Sequence, residues 1–109
     1  MSAHRDHVET RYSYRTRLLD GLWAGRPTVA TGGDVLMDAI AAAGAGTAVA
    51  PGDVDGFADA LRAHLDADTR TRAGRAAAAL ADAHRWDEVL RPLLACCRDP
   101  RRAPDAAVD

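Results

Sequence analysis

The feature that most constrains this chain is a regular alternation between two short runs without charged residues and the helical patterns around them. The first run, residues 28–31, lies between Pro27 and a glycine pair. The second run, residues 47–50, ends at Pro51 and Gly52. Short uncharged runs bounded by turn residues are typical of strands buried on both faces of a parallel sheet. We therefore predict two parallel core strands.

Apolar residues with helical spacing precede, separate and follow these runs. Leu18, Leu22 and Trp23 form a stripe ahead of the first run, and Asp34 and Asp53 are suited to cap the helices that follow each run. The helix after the second run carries an apolar stripe made of Val54, Phe57, Leu61 and Leu65. The order helix, strand, helix, strand, helix predicts an α/β fold, with right-handed crossovers that place helices on both faces of a parallel sheet.

The predicted sheet is small for a fold of this kind. Two strands are fewer than the roughly five strands of a typical sheet. Residues 3–8 are a weak candidate for an edge strand, because His, Arg and Asp interrupt them. We therefore expect a partial Rossmann-like sheet with flanking helices, forming the end of a larger doubly wound domain.

The C-terminal part is predicted to be helical. Two helices are expected at 69–82 and 85–97, and Pro92 should kink the second near Val89 or Leu90, because proline removes an amide donor. Residues 1–98 then form the predicted domain.

Two further predictions concern the last residues of the chain. Cys96 and Cys97 are adjacent in an apolar helical setting, which favours buried thiols over a disulfide or a zinc pair. Residues 99–109, which are rich in proline, arginine and small side chains, are expected to form a disordered tail.

Charge and hydropathy narrow the function classes. The formal net charge is -2, and residues 34–69 carry seven Asp against one Arg. This balance disfavours a nucleic-acid binder, which would show an overall basic surface. The sequence contains no apolar stretch long enough for a membrane span and no signal-peptide pattern, so a cytoplasmic location is expected. All 14 basic residues are arginine, which, with the alanine richness, is typical of a GC-rich bacterial genome.

A candidate anion site lies at the start of the first long helix. Arg11, Arg15 and Arg17 come just before or within its first turn, and the helix is predicted to begin close to Ser13. A helix start offers unpaired N–H groups and a partial positive charge. Arginine adds forked donors for phosphate oxygens, and the hydroxyls of Ser13 and Thr16 can join them. The pattern predicts a diphosphate site.

Asp20 extends this site by one helical turn. It lies four residues after Thr16, on the same face, where a carboxylate could accept hydrogen bonds from the paired hydroxyls of a ribose. An exposed ion pair between Arg17 and Asp20 is the alternative, since this spacing is common for surface pairs.

Two other clusters have simpler explanations. His4 and His7, with the nearby acids Asp6 and Glu9, could suggest a metal site, but a solvated surface or an interdomain contact accounts for them as well. The glycine pair before Asp34 could bind an anion at a helix start, but a turn closed by a capping carboxylate accounts for it without a ligand.

Five segments together carry a family resemblance: RTRLLD at 15–20, LWAG at 22–25, PTVAT at 27–31, GD at 33–34 and VAPGD at 49–53. In this order and spacing they resemble the C-terminal, donor-binding domain of GT-B glycosyltransferases of the group 1 or glycogen synthase-like type. The resemblance extends over about residues 4–100. The family often has Glu at the position of Asp20 and a second Glu at that of Tyr12.

The resemblance implies an activity and a role for each residue of the site. It implies transfer of a hexose, with retention, from a nucleoside-diphosphate sugar, and it implies no metal or other cofactor. Asp20 would hold the nucleotide ribose, and Ser13, Arg15, Thr16 and Arg17 would bind the phosphates.

The resemblance also implies partners. These are the nucleoside-diphosphate sugar and an N-terminal acceptor-binding domain that would be missing here, so the chain is expected to be a fragment that is inactive alone. Peripheral membrane association would belong only to the full-length enzyme. The alternative function is a non-enzymatic α/β protein-interaction module that binds a partner through an exposed apolar edge.

Overall fold

The structure, a computed structural model, describes residues 2–5 and 7–100. Over these residues the chain is α/β, as predicted, with seven helices and one two-stranded parallel sheet. In chain order the elements are α1 (Val8–Tyr12), α2 (Thr16–Trp23), β1 (Thr28–Thr31), α3 (Val35–Ala42), β2 (Gly46–Val49), α4 (Val54–Ala63), α5 (Ala67–Asp82), α6 (Trp86–Val89) and α7 (Arg91–Arg98).

The two strands are parallel and in register, with Thr28 opposite Gly46 and Thr31 opposite Val49. The prediction of β1 is confirmed, and β2 begins one residue earlier than predicted. The first residues of the chain lie along the other edge of β1. Ser2 donates to the Val29 carbonyl at 3.2 Å and accepts from the Thr31 amide at 3.1 Å. β1 is therefore flanked on both sides.

The candidate edge strand at 3–8 does not form over its described residues, 3–5 and 7–8. The pairing of the first residues of the chain with β1 is limited to the bridge between Ser2 and Ala30. Val8 already begins α1. The His7 side chain caps this helix, because its Nδ1 accepts a hydrogen bond from the Glu9 amide at 3.2 Å. This local cap favours a helical turn over a continued strand.

Three helices close one face of the sheet, which we call the closed face. Helices α2, α3 and α5 pack on it around Ala30 of β1. The α5 backbone comes very near α2, because a Cβ on Gly74 would lie only 2.8 Å from the Gly25 carbonyl oxygen. The buried residues of this cluster are Leu18, Leu22, Ala30, Leu36, Met37, Ile40, Ala45, Ala77 and Ala81.

The opposite face, which we call the open face, is packed mainly by α4. Its core is small and consists of Val29, Val49 and Ala60, with Phe57 against them. The predicted apolar stripe of α4 packs only in part, since its members Val54, Leu61 and Leu65 are exposed. Phe57 and Ala60 pack on the two four-residue strands. This sheet is too narrow for the rest of the stripe to pack on it. Val54 and Leu61 instead line a hollow of about 460 Å³ with Ala3 and Arg5 of the first segment.

The C-terminal helices confirm the predicted kink. The chain breaks at Leu90, and Pro92 lies in the first turn of α7. The prediction of buried thiols is wrong, since Cys96 and Cys97 are both exposed. None of the residues in Arg91–Arg98 is buried, so the apolar side of α7 does not contribute to the core.

The described chain has no candidate for a membrane-crossing helix, because none of its helices is both long and apolar enough. From residue 101 onward, the predicted disordered tail lies outside the described residues.

Candidate functional site

The candidate site lies where α2 begins, near the carboxyl end of β1. α2 begins at Thr16, three residues after Ser13, and Arg15 is its N-cap. Ser13 belongs to the end of α1, where its amide donates to the Glu9 carbonyl at 2.8 Å. The hydroxyls of Ser13 and Thr16 do not cap α2, and the Arg15 side chain makes no capping hydrogen bond to the first amides of this helix.

The first amides of α2 are only partly used. The Thr16 amide donates to the Tyr14 carbonyl and the Leu18 amide to the Arg15 carbonyl, both at 2.9 Å. Among the described residues the Arg17 amide has no such acceptor. An uncapped helix start of this kind carries partial positive charge and unpaired donors, which suit an anion.

Arg15 lies beneath this helix start and joins three parts of the fold. Its guanidinium donates to the Thr31 carbonyl and to His4 Nε2, both at 2.6 Å. It also forms an ion pair with Asp34. The Arg15 side chain is 12% exposed and that of Asp34 is 0% exposed. The charge of Arg15 is therefore largely neutralised inside the protein.

Asp34 has two roles, of which the sequence indicated one. Its carboxylate accepts from the Met37 amide at 3.0 Å and so caps α3, as predicted. The same carboxylate pairs with Arg15, which sequence analysis missed because the two residues are 19 positions apart. A carboxylate with no exposed surface does require a partner of opposite charge, but the sequence does not show in advance that this carboxylate is buried.

His4 completes this network. Arginine can only donate, so Nε2 of His4 must be the acceptor and the imidazole proton lies on Nδ1, an atom that is buried without a partner. Burial and, after it, the charge of Arg15 lower the pKa of His4 below its ordinary value of 6.5, while Asp34 acts in the opposite direction. Within the described part of the chain, no group of three or more His, Cys, Asp or Glu is arranged to hold a metal ion.

Four of the five predicted site residues line one hollow of about 310 Å³, which we call the α2 hollow. These residues are Ser13, Arg15, Thr16 and Arg17, together with Ser2, Tyr14 and Leu18. Ser13, Thr16 and Arg17 are exposed and accessible to a ligand, whereas Arg15 is committed to its internal partners. The hollow thus offers two hydroxyls, a free guanidinium and a helix start, a set of groups that can bind phosphate oxygens.

Asp20, the fifth predicted residue, lies one turn further along α2 and is exposed, outside the lining of the α2 hollow. The alternative interpretation, an ion pair with Arg17, is not observed, because these two described residues form neither an ion pair nor a hydrogen bond with each other. Both charges are therefore available to a ligand.

Arg11, the third arginine of the predicted cluster, lies elsewhere. It lines a separate hollow of about 350 Å³ with Thr10, the glycine pair after β1 and Pro51. Three arginines were grouped in the sequence analysis. In the structure Arg15 and Arg17 line one hollow, whereas Arg11 belongs to α1 and lines another.

Comparisons of this chain with protein-family models, with curated proteins and with solved structures found no match.

Proposed function

We propose that this chain is the donor-binding portion of a GT-B glycosyltransferase that transfers a hexose, with retention, from a nucleoside-diphosphate sugar to an acceptor. The observation that carries the proposal is the α2 hollow, which gathers Ser13, Thr16 and Arg17 at an uncapped helix start while Asp20 stays free one turn away. Ligands of open parallel sheets bind beside the carboxyl ends of strands. The α2 start lies at such an end, because Arg15 is bonded to the last residue of β1.

In this mechanism the chain contributes electrostatic stabilisation. The Arg17 guanidinium and the first amides of α2 would stabilise the negative charge that develops on the departing nucleoside diphosphate. Asp20 would accept hydrogen bonds from the ribose hydroxyls. Arg15 would act as a positioning residue, because its guanidinium is bonded to Thr31, His4 and Asp34 and fixes where α2 begins. The partner that the proposal requires is an acceptor-binding domain.

Nucleotide titration tests the proposal. UDP and GDP should be titrated into the chain by calorimetry, with Arg17→Ala and Asp20→Ala as site variants. Each substitution should weaken binding at least about tenfold, since a hydrogen bond to a charged group is worth about 1.5–3 kcal/mol. Arg75→Ala and Asp82→Ala, which change exposed residues of α5, are the matched controls and should leave affinity unchanged. Equal affinity of all four variants, or no binding at all, would refute the proposal.

The chain by itself should not transfer sugar. GT-B chemistry takes place between two domains, so a nucleotide-binding half holds the donor without an acceptor beside it. An assay with a nucleoside-diphosphate sugar and purified chain should show no transfer to added acceptors above the rate without protein. Detectable transfer would contradict the assumption that activity requires the acceptor-binding domain, on which the proposal rests.

One observation favours the alternative function, a protein-interaction module. The hollow beside α4 is apolar and open, with Val54, Phe57 and Leu61 along one wall. If this hollow is the functional surface, nucleotides should have no effect on the chain, and Leu61→Asp should abolish a stoichiometric protein complex. A chain that binds nucleotide through Arg17 does not fit this alternative.

A further inference from the structure

Another hollow, of about 280 Å³, lies next to the α2 hollow and is lined mainly by rings. Its lining consists of Tyr14, Leu19, Trp23, His84, Trp86 and Val89. We call it the aromatic hollow. Tyr14 lines both hollows, so the two adjoin at this residue.

The rings of the aromatic hollow are unusually accessible. Trp86 is 70% exposed, and Trp23 and Tyr14 are each 49% exposed. Two of them come from different parts of the fold, Trp23 from the end of α2 and Trp86 from the start of α6. Large aromatic side chains usually bury their faces. Because these rings are exposed instead, a flat apolar group can pack between or against them.

The order of chemical groups along α2 indicates what that group is. Thr16, Asp20 and Trp23 are spaced i, i+4 and i+7 and therefore share one helical face. With a rise of about 1.5 Å per residue they span roughly 10 Å. This face thus presents, in order, hydrogen-bond donors for an anion, a carboxylate for hydroxyls and an aromatic surface. The phosphates, the ribose and the base of a nucleotide follow one another in the same order.

We propose that the aromatic hollow is the nucleobase subsite of this chain. The inference rests on the proposed function, since it places the base relative to phosphates at the α2 hollow. Base–aromatic stacking is favourable for any base, because each has a π-face. His84 adds a polar group to the lining. Its Nδ1 donates to the Leu80 carbonyl at 3.0 Å, so its Nε2 is left as an acceptor for an N–H of the base.

The chain provides its own reporter for this subsite. It contains two tryptophans, and both line the aromatic hollow. GDP should therefore change the intrinsic tryptophan fluorescence on binding, whereas inorganic pyrophosphate, which has no base, should bind with little change in fluorescence.

Affinities of the full chain, measured by calorimetry, test the subsite directly. Trp86→Ala should weaken GDP binding about tenfold, as expected for loss of one stacking surface, and should leave pyrophosphate binding unchanged. Trp86→Phe retains an aromatic face and should restore most of the GDP affinity. Leu65→Ala, an exposed apolar position beyond α4, is the control. α6 has no buried residue in Trp86–Val89, so the fold should tolerate these changes, which circular dichroism verifies.

The outcomes separate this inference from the proposed function. If GDP binds with unchanged fluorescence and with equal affinity for wild type and Trp86→Ala, the base lies elsewhere and the inference is overturned, while the nucleotide-binding proposal stands. If neither GDP nor pyrophosphate binds, both fail.

Discussion

The closed and open faces of the sheet arise from the same helix–strand alternation, yet their cores differ greatly. Leu22, Met37 and Ile40 are fully buried on the closed face, whereas α4 brings Phe57 and Ala60 to a small cluster on the open face. The difference arises because α5 returns to α2 on the closed face, while the stripe of α4 stays largely exposed. We infer that the closed face supplies the stability and fixes the start of α2.

Two of the aspartates that cap helices give the sharpest comparison of the faces. Asp34 and Asp53 each accept a hydrogen bond from an amide three residues later. Asp34→Ala should destabilise the chain by about 3–5 kcal/mol, because it also leaves Arg15 buried without its counter-charge. Asp53→Ala should cost about 1 kcal/mol, the value of an exposed cap. Urea denaturation followed by circular dichroism measures both. Equal losses would mean that the buried ion pair adds little to the cap.

Leucine truncation compares the packing of the faces directly. Leu22→Ala should cost about 2–5 kcal/mol, since Leu22 has 0% exposure and its loss opens a cavity in the closed face. Leu61→Ala makes the same chemical change on the open face, where the side chain lines a hollow, and should cost about 1 kcal/mol or less. Denaturation midpoints of the two variants, with unchanged slopes, provide the measurement. A larger loss at Leu61 would reverse the assignment of the faces.

The smallest expected effect is a pH dependence at His4, beside the carboxyl end of β1. The pKa of His4 is lower in the folded chain than in the unfolded chain, so around and below pH 6.5 the unfolded state binds more protons. Stability should therefore fall as the pH drops through this range and be retained above it. His4→Gln should lessen the fall in stability between about pH 7.5 and 5.5. Identical pH profiles for the variant and wild type would show that His4 does not contribute.

Features that depend on neighbouring residues could be predicted from the sequence. The strand at 28–31, both capping aspartates and the break before Pro92 follow from local patterns, and all are observed. The roles of Ser13, Thr16, Arg17 and Asp20 in binding a ligand remain predictions, although three of them do line one hollow.

Features that depend on distant residues could not be predicted. The ion pair between Arg15 and Asp34 joins positions 19 residues apart. In the sequence the pair is indicated by the Asp34 carboxylate alone, and helix capping already accounts for that carboxylate. The exposure of the α4 stripe and of Cys96 and Cys97 was missed for a related reason. Helical periodicity identifies an apolar side, but another element must be present before that side is buried.

The position of Arg15 has a thermodynamic consequence. This side chain reaches its partners only when β1, the α3 cap and the first segment are all in place, so the α2 hollow exists only in the folded chain. A molecule that occupies the hollow therefore binds the folded chain and not the unfolded chain. Increasing its concentration should raise the melting temperature by mass action. Thermal shift against a panel of small anions would therefore identify what the hollow selects.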